Sequence, residues 1–156
     1  MEPVSREFLK SVEILEDLSD AQLDQLMPLI QAVEYEAGDV VCQEGSIGEE
    51  MFIIYKGCID ISKEIGKQSG TSLVRLQHGE LLGELAYFDR EPRSATACAF
   101  VPSVLLTIKF KELKKLLDSD PLLASRIFVG VIRTLSRRLR QADEGIRNLF
   151  QRMVYY

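Results

Sequence analysis

Residues 81–100, LLGELAYFDREPRSATACAF, pass from a strand-like pair of leucines through Gly-Glu and a short apolar turn to an arginine and small residues that re-enter a strand. Gly83 lets the backbone turn closely. Glu84 to Tyr87 can form one helical turn whose free N–H groups point back at that glycine, a geometry that binds anions. Arg93, nine positions after Glu84, supplies a planar guanidinium able to bond two phosphate oxygens, while Ser94 offers a hydroxyl and Ala95 leaves room. A carboxylate would repel a phosphate, so Glu84 is expected to accept from neutral donors such as sugar hydroxyls. The stretch suits a ligand with an anionic end and a hydroxyl next to it. A plainer reading stands beside this one: Arg93 is close in sequence to Asp89 and Glu91, and such groups commonly form surface ion pairs.

Outward from this stretch, residues 32–109 break into short β-rich pieces: VEY, VVCQ, MFIIYK, CIDISKEI, TSLVRLQ, SATACAFV and SVLLTIK. Gly38, Gly45, Gly48, Gly57, Gly70 and Gly79 fall between them. Turn signals about every 8 to 12 residues, with no room for long crossovers, predict an antiparallel β-roll. Before it, Leu9, Val12, Leu15 and Leu18, then Leu23, Leu26 and Ile30, predict two short helices, with Ser19 as the cap of the second. After it, FKELKKLLD is amphipathic, Asp120 caps the next segment, and Pro121 suits its first position. The expected fold is α+β, in a single domain over 1–156. An antiparallel double-stranded β-helix, a jelly-roll-like β-roll at 32–109, is flanked by N-terminal helices at 8–31 and C-terminal helices at 110–156, the last one long.

That last helix carries a seam. Phe128, Ile132, Leu135, Leu139, Ala142, Ile146, Leu149 and Met153 are separated by 4, 3, 4, 3, 4, 3 and 4 residues, an unbroken heptad pattern. The β-branched residues at a and mostly Leu at d favour a parallel two-stranded coil, with Arg138 at g and Asp143 at the following e able to pair between chains. A helix of about 30 residues rises about 45 Å, longer than a small barrel is wide. A homodimer through Phe128, Ile132, Leu135, Leu139, Ala142, Ile146 and Leu149 is therefore expected. Gly130 and Gly145 mark possible bends.

Composition narrows the function. At 156 residues the chain suits one domain. The net charge is −5, but residues 121–156 hold seven arginines against two acids, which leaves an acidic body that argues against a nucleic-acid-binding face there and a basic tail that suits a solvated helix face, a partner surface or a weak polyanion site. No apolar run approaches the roughly 20 residues of a membrane span, and the first residues lack a secretory h-region, so cytoplasmic residence is expected. Cys42, Cys58 and Cys98 have neither disulfide-framework nor iron–sulfur nor haem-ligand spacing and are expected to be reduced core thiols. With one histidine, His78, beside a turn glycine, and no clustered metal ligands or activated nucleophile, an enzyme is not expected.

Gly83-Glu84-Leu85-Ala86 followed by Pro92-Arg93-Ser94-Ala95-Thr96 resembles the phosphate-binding cassette, here 81–96, of the cyclic nucleotide-binding domains. These domains occur in the catabolite activator protein, protein kinase A regulatory subunits and cyclic-nucleotide-gated channels. Gly38-Asp39-Val40-Val41, Glu44-Gly45, and Gly48 through Ile54, closing with Gly57, are similar to the glycine-marked turns of the family's β-roll, and the resemblance covers roughly 8–150. It implies that Glu84 takes a ribose 2′-hydroxyl and Arg93 the cyclic phosphate. The backbone of Gly83, Leu85 and Ala86 and the Ser94 hydroxyl complete the cradle, with Ala95 beside them. The implied protein is a sensor with no cofactor, binding cAMP or cGMP, whose helical region 120–150 resets on binding and acts on a downstream protein. Ser94 resembles the bacterial activators and favours cAMP. Three departures are Leu82, where the family often has an aromatic residue, and Ala142 and Asp143, where the activator has a purine-binding Thr-Ser pair. The base would then be capped from elsewhere, by Arg137, Arg140 or Tyr155. No helix-turn-helix pattern follows, so DNA binding is not expected. The alternative is a nucleotide-free domain of the same fold serving as a dimerisation or interaction scaffold.

Overall fold

A computed structural model of the chain describes residues 4–65 and 68–154. The N-terminal region begins with α1 (Arg6–Ser11) and α2 (Asp20–Leu26), and a single 3-10 turn (Met27–Leu29) leads into the sheets. Only the first of the two predicted helical stretches differs in kind. After α1 the chain runs in successive turns in which Val12, Leu15 and Leu18 donate to the carbonyls of Leu9, Val12 and Leu15. A leucine spacing of three matches the three-residue repeat of such turns as well as it matches a helix. Ser19 caps α2 as expected: its hydroxyl accepts from the Gln22 N–H at 3.3 Å, and the Gln22 side chain accepts from the Ser19 N–H at 3.1 Å.

Eight strands follow: β1 (Ile30–Tyr35), β2 (Val40–Cys42), β3 (Glu50–Lys56), β4 (Ile59–Ile65), β5 (Gln68–Leu76), β6 (Leu81–Leu82), β7 (Thr96–Ala99) and β8 (Ser103–Lys109), with α3 (Leu85–Asp89) between β6 and β7. They form two antiparallel four-stranded sheets, ordered β1-β8-β3-β6 and β2-β7-β4-β5. The β-roll thus starts two residues before the boundary expected at position 32. β3 is apolar on both faces because it separates two cores. Phe52 and Ile54 point into the roll with Ile59, Leu82, Ala97 and Leu105, whereas Met51 and Ile53 pack with Leu9, Leu23, Leu106 and Leu123 under the helices.

α4 (Phe110–Ser119) and α5 (Pro121–Val154) close the fold. The Asp120 carboxylate accepts from the Leu123 N–H at 2.9 Å, which caps α5 behind Pro121. α5 is one continuous helix of 34 residues, so neither Gly130 nor Gly145 breaks it. Gly130 is instead a crossing point: a Cβ there would lie 2.6 Å from the Ile14 Cα. Arg133 bridges to Glu16 and Asp17, and Thr134 and Arg137 bond Glu13, fastening the N-terminal turns to α5. The three cysteines are free, but they are only partly buried and are not core thiols. In β7 the inward positions belong to Ala97 and Ala99, and strand alternation turns Cys98 the other way.

Candidate functional site

The cavity grows out of β6. Leu81 and Leu82 pair with Ile53 and Phe52 of β3, and Gly83, with φ at +82°, turns the chain out of the sheet. That φ favours glycine, and a Cβ on Gly83 would also crowd the Arg93 Nη1, so that the guanidinium would have to shift. α3 begins at once, preceded by Glu84, whose carboxylate does not cap the helix.

Arg93 is 7% exposed. Its Nη1 donates to the Gly83 carbonyl at 2.9 Å and its Nη2 to the Glu50 carbonyl at 2.6 Å, while the guanidinium carbon sits 5.6 Å from the centre of the Phe52 ring. The loop before β3 clamps its backbone, through Arg93 N–H to the Ser46 carbonyl and Gly45 N–H to the Arg93 carbonyl, both 2.8 Å. The surface ion pair with Asp89 or Glu91 does not form, because Asp89 accepts from the Glu91 N–H at 2.9 Å and Arg93 turns inward. Among the described residues Arg93 has no carboxylate partner. Its two side-chain hydrogen bonds among the described residues both go to backbone carbonyls, so this buried cation is held by dipoles and not by an ion pair.

Beside it opens a cavity of about 550 Å³. Gly83, Glu84, Leu85 and Ala86 line it from one side and Arg93, Ser94 and Ala95 from the other. All seven residues expected at the site therefore share one cavity. The opposite wall is apolar, made by Ile61 of β4 and by Leu73, Val74 and Leu76 of β5. α5 contributes Arg138, Gln141 and Ala142, of which the resemblance had indicated only Ala142, at one of the two purine-binding positions.

Glu84 is 2% exposed. It accepts from Arg138 Nη1 at 2.8 Å, and Arg138 Nη2 also donates to the Leu81 carbonyl. Within the chain the partner of Glu84 is thus a guanidinium, and Arg138, expected to pair with Asp143 of a second chain, is engaged here by Glu84 and the Leu81 carbonyl. Burial pushes the Glu84 carboxyl up from the ordinary glutamate range, and the Arg138 and Arg93 charges oppose that rise. Burial likewise raises the Cys42 thiol on the cavity wall, with Arg93 opposing.

Of the residues weighed for the base, Arg137 is engaged by Glu13 at 3.2 Å, Arg140 does not line the cavity, and Tyr155 lies outside the described residues. Ala142 lines the cavity and Asp143 does not. Arg138 and Gln141 could have been linked in the sequence only by their separation of three, which puts both on one helix face. Nothing local tells which face that is.

On the helix seam, Phe128, Ile132, Leu139, Ala142, Ile146 and Leu149 are exposed, with Leu139 at 63% and Ile146 at 52%, and Leu135 is half-buried. Phe128 also meets Phe88 of α3 edge to face, with ring centres 5.8 Å apart.

A family profile described as the cyclic nucleotide-binding domain matches residues 32–120. A cAMP-dependent protein kinase regulatory subunit from Mycosarcoma maydis is 37% identical over 93 residues, 59% of this chain and 17% of that protein. The cGMP-dependent protein kinase isozyme 1 of Drosophila melanogaster is 28% identical over 144 residues, 90% of this chain and 18% of that one. The crystal structure of the Thermus thermophilus catabolite activator protein is similar with a TM-score of 0.73 and 27% identity, covering 88% of this chain and 62% of that chain. The chain spans less than a third of the length of these curated relatives. Two sheets rolled around a cassette whose arginine and glutamate face one cavity, together with a profile match over more than half its length, mean that this chain belongs to the cyclic nucleotide-binding domain family.

Proposed function

We propose that this domain is a cytoplasmic receptor for a cyclic nucleotide, cAMP in preference to cGMP, which it binds without transforming. The observation that carries this reading is Arg93: a buried guanidinium with no carboxylate ion-pair partner among the described residues, beside a cavity. A buried charge is costly without a counter-charge, and a phosphate is a counter-ion two of whose oxygens a planar guanidinium can bond at once. In this reading Arg93, the Ser94 hydroxyl and the backbone of Gly83, Leu85 and Ala86 would hold the cyclic phosphate. Ala95 gives room, and Glu84 would accept from the ribose hydroxyl. Ser94 supports cAMP. Leu82, where the family often has an aromatic residue, belongs to the roll's core and lines the same cavity.

Signal output would start at Glu84. Its carboxylate is held by Arg138 of α5, so a ribose hydroxyl arriving there competes with or re-partners a contact that fixes the last helix against the cassette. Ligand would act by favouring one position of α5 over another. The exposed apolar seam of α5 supports a second copy of this chain as the neighbour of that helix, and a downstream protein would read the change. The scaffold alternative draws support from the same ion pair, since Arg138 already neutralises Glu84.

Calorimetric titration with cAMP and with cGMP separates the two readings. Micromolar or tighter binding is expected, weakened at least about a hundredfold in Arg93→Ala, which loses two or more charge-assisted bonds. No heat and no thermal shift with either nucleotide would favour the scaffold.

A further inference from the structure

Resting on the receptor reading, we infer that Glu80, Asp89 and Glu91 make the cavity a filter for ligand charge. It admits a phosphodiester, which carries one negative charge, and disfavours a phosphomonoester, which carries close to two at neutral pH. The charged side chains on the wall are Glu80, Glu84, Asp89, Glu91, Arg93 and Arg138. Glu84 and Arg138 cancel in their own ion pair at 2.8 Å. What faces a ligand is then the Arg93 guanidinium against the carboxylates of Glu80, Asp89 and Glu91. Among the described residues none of these four groups is in an ion pair. One negative charge on the ligand is matched by Arg93. A second meets only like charge, and that repulsion grows with the charge brought in.

The loop that carries Arg93 also sets these acids in place. Asp89 and Glu91 precede it by four and two positions, and the Asp89 carboxylate accepts from the Glu91 N–H at 2.9 Å. Between them Arg90 takes a left-handed backbone with φ at 59°, a conformation that a residue with a Cβ holds only where its surroundings impose it. Asp89 and Glu91 line the cavity and Arg90 does not, so the loop keeps its other cation off the wall. Glu80 is fixed separately, accepting from the Gln77 N–H at 2.9 Å. Hydrolysis of a cyclic phosphodiester adds water across one P–O bond, opens the ring and gives a monoester that releases most of a second proton. A reaction of that class would end occupancy by charge as well as by shape.

The test is calorimetric titration of the full chain with cAMP, with 5′-AMP and with the methyl ester of 5′-AMP, an open chain that carries one charge. Weak ligands are read by displacement of cAMP. In the parent cAMP should bind most tightly, and 5′-AMP at least about tenfold more weakly than its methyl ester. The variant Glu80→Gln, Asp89→Asn, Glu91→Gln keeps a side-chain oxygen to accept at each position, and in it that gap should close about tenfold. If the triple variant fails to fold, Glu91→Gln alone serves, because the Glu91 carboxylate has no partner among the described residues; the gap should then narrow about twofold or more. Equal affinities for 5′-AMP and its methyl ester in the parent, or a gap unchanged by the substitutions, overturn the filter and leave the receptor reading standing. So does a parent that takes cAMP and neither open chain at millimolar concentration, since shape alone then suffices. A parent that binds none of the three overturns both.

Discussion

Because burial holds the Glu84 carboxyl above the ordinary glutamate range, with Arg138 and Arg93 opposing, the folded chain binds this proton more tightly than the unfolded chain does. Its contribution to stability is full below the unfolded-state pKa and is lost as pH rises through the raised folded value. Glu84→Gln keeps the shape and removes the titration. The parent's melting temperature should therefore gain on that of the variant as pH falls from neutral into the acid range, which paired thermal melts would show; a gap that ignores pH is the contrary result. At this scale the cassette was legible because Gly83, Glu84, Arg93 and Ser94 are brought together by one turn, one short helix and one loop. Arg138 was not, since it meets Glu84 across 54 positions of sequence. The charge on Arg138 was legible in the sequence, but its partner depends on where α5 crosses the roll.

Among the elements, α5 shows how far a pattern can be trusted. Its start at Asp120 and Pro121 and its length followed from capping and periodicity, and the two glycines within it have opposite settings. Gly130 abuts the Ile14 backbone, whereas nothing lies within 4 Å of a Cβ built on Gly145. Gly145→Ala is thus expected to stabilise by up to about 1 kcal/mol through helix propensity. Gly130→Ala should lose stability, by about 1–3 kcal/mol, because the backbone it would strike cannot rotate away as a side chain can. Urea denaturation of the two variants decides it, and stabilisation by both would contradict the tight crossing. The N-terminal turns mark the limit of periodicity: a spacing of three serves a 3-10 turn and a helix equally, so Leu9 to Leu18 announced their burial but not their backbone.

For the whole molecule, the two sheets and the flanking helices were legible because strand length, turn signals and apolar alternation all agree with one topology. The fate of the α5 seam was legible only as a pattern. Ile132, Leu139, Ile146 and Leu149 lie exposed, and a second copy is the expected cover. Ile146→Glu together with Leu149→Glu should halve the mass measured by sedimentation while leaving nucleotide affinity within about threefold, since neither residue lines the cavity; an unchanged mass would count against the coil. Arg93 has a consequence at this scale as well. A buried guanidinium that has no ion-pair partner among the described residues gains from an anion bound beside it, and ligand at a hundred times its Kd adds about 2.7 kcal/mol to the folded state. The messenger would then govern how long each molecule survives as well as what it signals, because degradation draws on the transiently unfolded population. Limited proteolysis should run slower with saturating cAMP than without, and Arg93→Ala should be cleaved at one rate in both; equal rates for the parent would remove the link between occupancy and lifetime.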